Sequence, residues 1–132
     1  METQEQIWAI LHEARLSEKT LYSFASLCAG RVYNRISNLD RVGALKKAIE
    51  TAKNGDLTQL AEARQKSHRF IRKLAVTKPA KPLLRAAQAA RGCTKETGLG
   101  AAVSSAWLAT EAAENAEDEA IWQLDLLNTL VS

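Results

Sequence analysis

Proline occurs twice and glycine six times in this chain of 132 residues, and aromatic residues make up only 5% of it. So little turn chemistry excludes a β fold built from many short strands and tight turns. Runs of β-branched residues are absent as well, whereas alanine is abundant. Propensity and hydrophobic pattern therefore both point to helix. No apolar run could cross a bilayer: the longest weakly polar stretch, Gly98 to Ala109, is short and rich in Gly, Ala and Ser. The opening METQEQIWAILHEA begins with acids and carries neither a basic region nor a small-residue cleavage site, so it does not read as a secretion signal. Cys28 and Cys93 are the only cysteines, far apart and outside any C-x-x-C pattern. Two buried free thiols in a reducing cytoplasm are the expectation.

Signals for catalysis are lacking too. His12 and His68 are the only histidines, and His12-Glu13 lacks the second His of H-E-x-x-H. The acids of the C-terminal third include no E-x-x-H of the kind that lines di-metal bundles. There is no G-x-S-x-G and no Walker lysine, and the glycines of ETGLGAA follow no strand. Arg64 and His68 share a helix face, but their spacing is one residue shorter than the R-x4–6-H pair of HEPN-type ribonucleases. A solvated basic face is the simpler reading. The expectation is a protein without turnover, cofactor or metal.

What is present is a segregation of charge. Residues 1–62 hold eight Lys/Arg and eight Asp/Glu, so they balance. Residues 63–95 hold ten cations and no acid, and residues 96–132 hold seven acids and neither Lys nor Arg. In a chain of net charge +3, this predicts that the cations of 63–95 lie partly against the acids of 111–119, leaving Lys78 and Lys81 over. If the two groups instead lie on opposite sides and the basic side is continuous and open, this expectation fails and nucleic acid moves to first place as the partner.

The periodicity predicts an all-α, single-domain bundle over residues 1–132. It has about six to seven short-to-medium helices with antiparallel helical hairpins. Ile7, Ile10, Leu11 and Ala14 mark a helix over Glu5 to Arg15. Ser17 caps a second, central one running to about Ile36, with Phe24 and Cys28 in its core stripe. Asp40 caps a third, with the stripe Val42, Leu45, Ala48, Ile49 and Ala52, ended by Asn54-Gly55. Asp56 opens a fourth, directing Leu60, Ala63, Ser67, Phe70, Ile71 and Leu74 inward. Pro82 suits the first turn of a fifth, which carries Leu83, Leu84, Ala87 and Ala90. The sixth carries Leu99, Ala102, Val103, Ala106, Trp107 and Ala113, and Asn115 opens a seventh that is apolar on more than one side. Phe24, Cys28, Ile49, Phe70 and Leu74 are expected to be buried together.

The segments Ala48-Ile49-Glu50-x-Ala52, Gly55-Asp56-Leu57, Ala61-Glu62-Ala63-Arg64 and the Ala-rich Gly100 to Ala113 resemble the immunity-protein family of bacterial polymorphic toxin systems, over roughly residues 20–113. The chain departs from that family where CTKETG replaces a His-containing A-T-A-H stretch. The resemblance implies a small, all-helical, non-catalytic protein of the bacterial cytoplasm that binds and neutralises a toxin.

The first reading is thus a protein that binds an acidic partner, a toxin by the resemblance, through Arg64, Arg69, Arg72, Lys73, Lys78 and Lys81. A helical module binding nucleic acid through the basic 64–91 face is second; it has the cationic stripe but lacks aromatics for base stacking. A subunit of a larger assembly is third. Trp122, Leu126 and Leu130 are the expected surface for a homodimer, and no membrane is expected as a partner.

Overall fold

The computed structural model describes residues 2–131. Among them, seven α-helices follow one another: α1 (Glu2–Glu13), α2 (Glu18–Val32), α3 (Ala44–Asn54), α4 (Leu60–Val76), α5 (Lys81–Gly92), α6 (Gly98–Ala112) and α7 (Ala116–Val131). A 3-10 turn, Tyr33–Arg35, follows α2, and the described residues include no strand. The all-α bundle read from the sequence is the observed architecture.

Several helix ends are set by single side chains. Ser17 Oγ accepts the Thr20 amide at 3.1 Å, Thr97 Oγ1 the Gly100 amide at 3.0 Å, and Asn115 Oδ1 the Asp118 amide at 3.0 Å. Pro82 lies in the first turn of α5 as expected, and Gly55 closes α3.

The bounds of four helices differ from the sequence reading, and the first of them runs Glu2–Glu13 rather than Glu5 to Arg15. The α part of the second helix stops at Val32, and the 3-10 turn carries the chain to a fully buried Ile36. The third helix starts at Ala44, because Gly43 adopts a left-handed conformation (φ 73°) that breaks the helical path. Val42 is therefore outside the helix and 89% exposed, not part of its stripe. Asp40 still caps α3 from a distance, accepting the amides of Leu45 (3.1 Å) and Lys46 (2.9 Å). The fourth helix begins at Leu60 rather than Asp56, because the Asp56 carboxylate is engaged in its own turn, accepting the Thr58 hydroxyl at 2.7 Å.

The packing order runs across the molecule. α6 lies at the centre, packed most extensively on α2 and α5; α3 and α5 carry α4 on one side, and α1 and α7 pack together on the other. The centre is lined by small residues. α5 buries Ala86, Ala87, Ala89 and Ala90, and α6 buries Ala101, Ala102, Ser105, Ala106 and Ala109. Such side chains let helix axes approach closely. At Gly98 the approach is tightest, since a β-carbon there would meet Leu21 Cβ at 2.9 Å. Consequently the large residues of α6 point away from this centre. Of the apolar residues read on this helix, Ala102 and Ala106 are buried, Leu99 and Val103 are half-buried and Trp107 is 54% exposed.

Phe24 and Cys28 are fully buried and Leu74 is buried with them, but Ile49 and Phe70 are only half-buried at the α3–α4 edge. Cys28 and Cys93 are buried free thiols, as expected. No helix among the described residues is long and apolar enough to cross a membrane.

Candidate functional site: the basic face of α4

The inward stripe of α4 is Leu60, Ala63, Ser67, Ile71 and Leu74. With that face turned to the core, helical geometry distributes the cations over the rest. Lys66, Arg69 and Lys73 fall on the flank facing α3. Arg64 and His68, one turn apart, fall on the flank facing α5. Arg72 stands on the outer ridge.

On the α3 side the cations meet Lys46 and Lys47 across an open groove, whose apolar lining comes from Phe70 and Val42 and whose one acid is Glu50. On the α5 side Arg64 and His68 share a second cleft with Arg91, Thr94 and Lys95. There Arg64 Nε donates to the Thr94 carbonyl at 2.6 Å, and Arg91 Nη1 donates to His68 Nδ1 at 3.1 Å. The Tyr22 hydroxyl donates to the Lys95 carbonyl beneath. Burial, then the nearby Glu18 carboxylate, raises the pKa of that phenol, so it stays a donor.

The ion pairs show how much of this charge is neutralised. Lys66 pairs with Glu62 on its own helix (3.0 Å), and Arg64 lies 3.9 Å from Glu96. Among the described residues, Arg69, Arg72, Lys73 and Lys78 make no ion pair, and no pair joins α4 to the acids of 111–119. The expected internal neutralisation holds only at the start of α5, where Lys81 Nζ and Arg85 Nε lie 3.3 and 3.8 Å from Glu111. Lys81 is therefore not left over, which corrects that expectation. Glu119 and Glu114 pair instead with Arg31 (3.1 Å) and Arg35 (3.6 Å), cations from the balanced part of the chain.

Of the expected partner-binding residues, Arg69, Arg72 and Lys73 share one exposed surface. Arg64 sits on its α5 flank, Lys78 in the turn beyond α4, and Lys81 on α5 beside Glu111. Lys78 has φ 53°, a left-handed backbone that sharpens the turn before Pro79.

Sequence reasoning missed Lys46 and Lys47, because they belong to a segment whose charges balance overall, and missed the convergence of Arg91 and Lys95 on His68. It also passed over an apolar groove between α1 and α6, lined by Ile7, Trp8, Leu11, Val103 and Trp107, with Trp8 and Trp107 about half exposed. The α7 residues expected to form a dimer surface are less available. Trp122, Leu126 and Leu130 are half-buried against the core, and the Arg31 guanidinium stacks 4.3 Å over the Trp122 ring.

Among the described residues, no group of three or more His, Cys, Asp or Glu could hold a metal ion. Comparison with known proteins adds no relative, since no family model, curated protein or solved structure matches this chain.

Proposed function

We infer that this chain is a non-catalytic binding protein of the immunity type, acting in the bacterial cytoplasm, which neutralises a toxin by holding an acidic face of it against α3 and α4. One observation carries the reading. Among the described residues Arg69 and Lys73 make no ion pair, and with Lys46 and Lys47 they outnumber Glu50, the one acid of a groove whose apolar lining is Phe70 and an almost fully exposed Val42. An apolar centre within a charged rim is the anatomy of a protein interface. Unpaired rim cations steer an acidic partner and set its orientation more than they add affinity.

Nucleic acid is the second reading, favoured by the placement of the α4 cations away from the 111–119 acids; the separation that would put it first is incomplete, since Lys81 and Arg85 of the same basic segment lie against Glu111. Against it, α4 is held in the bundle by its apolar face, and Phe70, the one aromatic beside its cations, is half-buried.

The test is co-expression with a toxin domain encoded beside this chain. Growth should be restored by the native protein and lost with Arg69→Glu combined with Lys73→Glu, circular dichroism confirming that the variant folds. If there is no rescue, while RNA or DNA binds with an affinity falling steeply with salt, the second reading replaces the first.

A further inference from the structure

We propose that the cleft between α4 and the end of α5, formed by Arg64, His68, Arg91 and Lys95, is a binding site for a phosphate group carried by a small molecule or free in solution. It stands apart from the partner groove on the opposite flank of α4, so either assignment can fail without the other.

The first argument is electrostatic. Elsewhere in this molecule, cations drawn in against the bundle are met by carboxylates: Arg31 by Glu119, and Arg85 by Glu111. In this cleft two guanidinium groups and an ammonium line one depression; among the described residues no acid lines it, the one ion pair to these cations is Arg64 with Glu96 at 3.9 Å, whose side chain is 87% exposed, and Glu18 lies beneath, near the Tyr22 hydroxyl. The Glu96 contact is screened by water and gives little. Like charges brought together without a counter-ion repel, and an anion entering the cleft relieves that repulsion.

The second argument is preorganisation. The Arg64 guanidinium is held through Nε by the carbonyl of the fully buried Thr94. Of its terminal nitrogens, Nη1 faces the exposed Glu96 carboxylate at 3.9 Å, a contact an incoming anion can replace. The segment carrying Thr94 and Lys95 is itself pinned, because the buried Tyr22 donates to the Lys95 carbonyl and Thr94 Oγ1 donates to the Arg91 carbonyl at 2.6 Å. Arg91 cannot accept a hydrogen bond, so in its contact with His68 Nδ1 that nitrogen is the acceptor. The proton of that ring is then on Nε2, a further donor. Two oriented guanidinium groups, an ammonium and an imidazole N–H match the several acceptor oxygens of phosphate better than the two of a carboxylate.

Inorganic phosphate and adenosine 5′-monophosphate are the probes, titrated into the full chain while NMR follows the His68 ring and the arginine Nε–H signals. Saturable shifts at His68 and Arg91 are expected with either probe. Tighter binding of the nucleotide would assign the site to a phosphate ester, and equal binding to free phosphate. Arg91→Gln should weaken binding by about tenfold, as loss of a charge-assisted pair predicts. Arg69→Gln, on the other flank, should change it by less than about twofold, as screening of a distant exposed charge predicts. If Arg91→Gln fails to fold, Lys95→Gln carries the same comparison. Shifts that do not saturate by about 10 mM, an affinity near the weak end of specific binding, would overturn the proposal. So would Arg69→Gln costing as much as the cleft variant, since diffuse attraction would then explain the binding.

Discussion

Arg31 and Glu119 join α2 to the first turn of α7 by an ion pair of 3.1 Å, in which the carboxylate is buried and the guanidinium is half exposed and stacked on Trp122. Glu119 also lies where the α7 dipole favours an acid. The two ends of this contact are unequal, because losing Arg31 strands a buried charge whereas losing Glu119 frees a cation that water can reach. Arg31→Met should cost about 1–3 kcal/mol and Glu119→Gln about 1 kcal/mol. Urea denaturation of both single variants and the double variant measures the coupling. A double variant that merely sums the two losses would show that the pair contributes nothing of its own.

Asp40 is the second polar anchor. Its carboxylate is 5% exposed and takes three donors: the amides of Leu45 and Lys46 and, at 2.8 Å, the Tyr33 hydroxyl. It therefore ties the 3-10 turn after α2 to the start of α3, which has no side-chain cap at Gly43. Asp40→Ala is expected to lower stability by about 2 kcal/mol, the scale of a lost cap together with unpaired donors. Hydrogen exchange should localise the loss to the amides of the first turn of α3. Unchanged exchange there would remove Asp40 from this role.

Two glycines should respond in opposite directions to the same substitution. A β-carbon at Gly98 would meet Leu21 Cβ at 2.9 Å and must push α2 from α6, so Gly98→Ala should cost about 1–3 kcal/mol. Gly30, exposed within α2, has nothing within 4 Å of that position. Gly30→Ala should raise stability by about 0.5–1 kcal/mol through helix propensity. Melting temperatures that move in the same direction would contradict the close packing of α2 on α6.

The third pair of groups concerns alkaline pH. Burial pushes the Cys93 thiol from its ordinary 9.0 up to about 12, against a smaller opposing effect of its Ser105 contact. Burial and then the hydrogen bond to Asp40 push Tyr33 from 10.0 up to about 12. Both groups hold their proton more tightly in the folded chain than in the unfolded one. The stability they contribute is therefore fully present below pH 9.0 and 10.0 respectively, and is lost as pH rises towards 12. Denaturation midpoints should fall steadily above pH 9, and Tyr33→Phe should remove part of the slope above pH 10. Below that range both thiols, buried and protonated, should resist a thiol reagent until the protein unfolds. Rapid labelling of the native chain at pH 8, below both ordinary values, would show that Cys28 or Cys93 is reachable.

The candidate face was legible in part. Arg64, Arg69, Arg72 and Lys73 could be placed on α4 because the stripe Leu60, Ala63, Ile71 and Leu74 fixes which side faces inward, and every cation must then lie elsewhere. Lys46 and Lys47 escaped notice because a segment's charge total says nothing about which neighbour it will face. Lys81 was misplaced for the same reason. Its counter-charge, Glu111, is thirty residues away in sequence and is brought near by the packing of α5 on α6.

The sequence by itself determined the number and type of elements and most of the caps, since these depend on interactions within a few residues: a serine accepting an amide three positions on, or an apolar stripe repeating with the helix. Only tertiary structure decided the orientation of α6. Leu99, Val103 and Trp107 form one stripe at helical spacing, and Ala101, Ser105, Ala109 and Ala112 form another, so periodicity offers two inward faces. The small-residue face won because α6 is enclosed by α2 and α5, and close approach of those helices leaves no volume for larger side chains. The same enclosure sets α4 and the acid-rich start of α7 on different sides of the bundle, so that among the described residues Arg69, Arg72 and Lys73 of α4 make no ion pair with those acids.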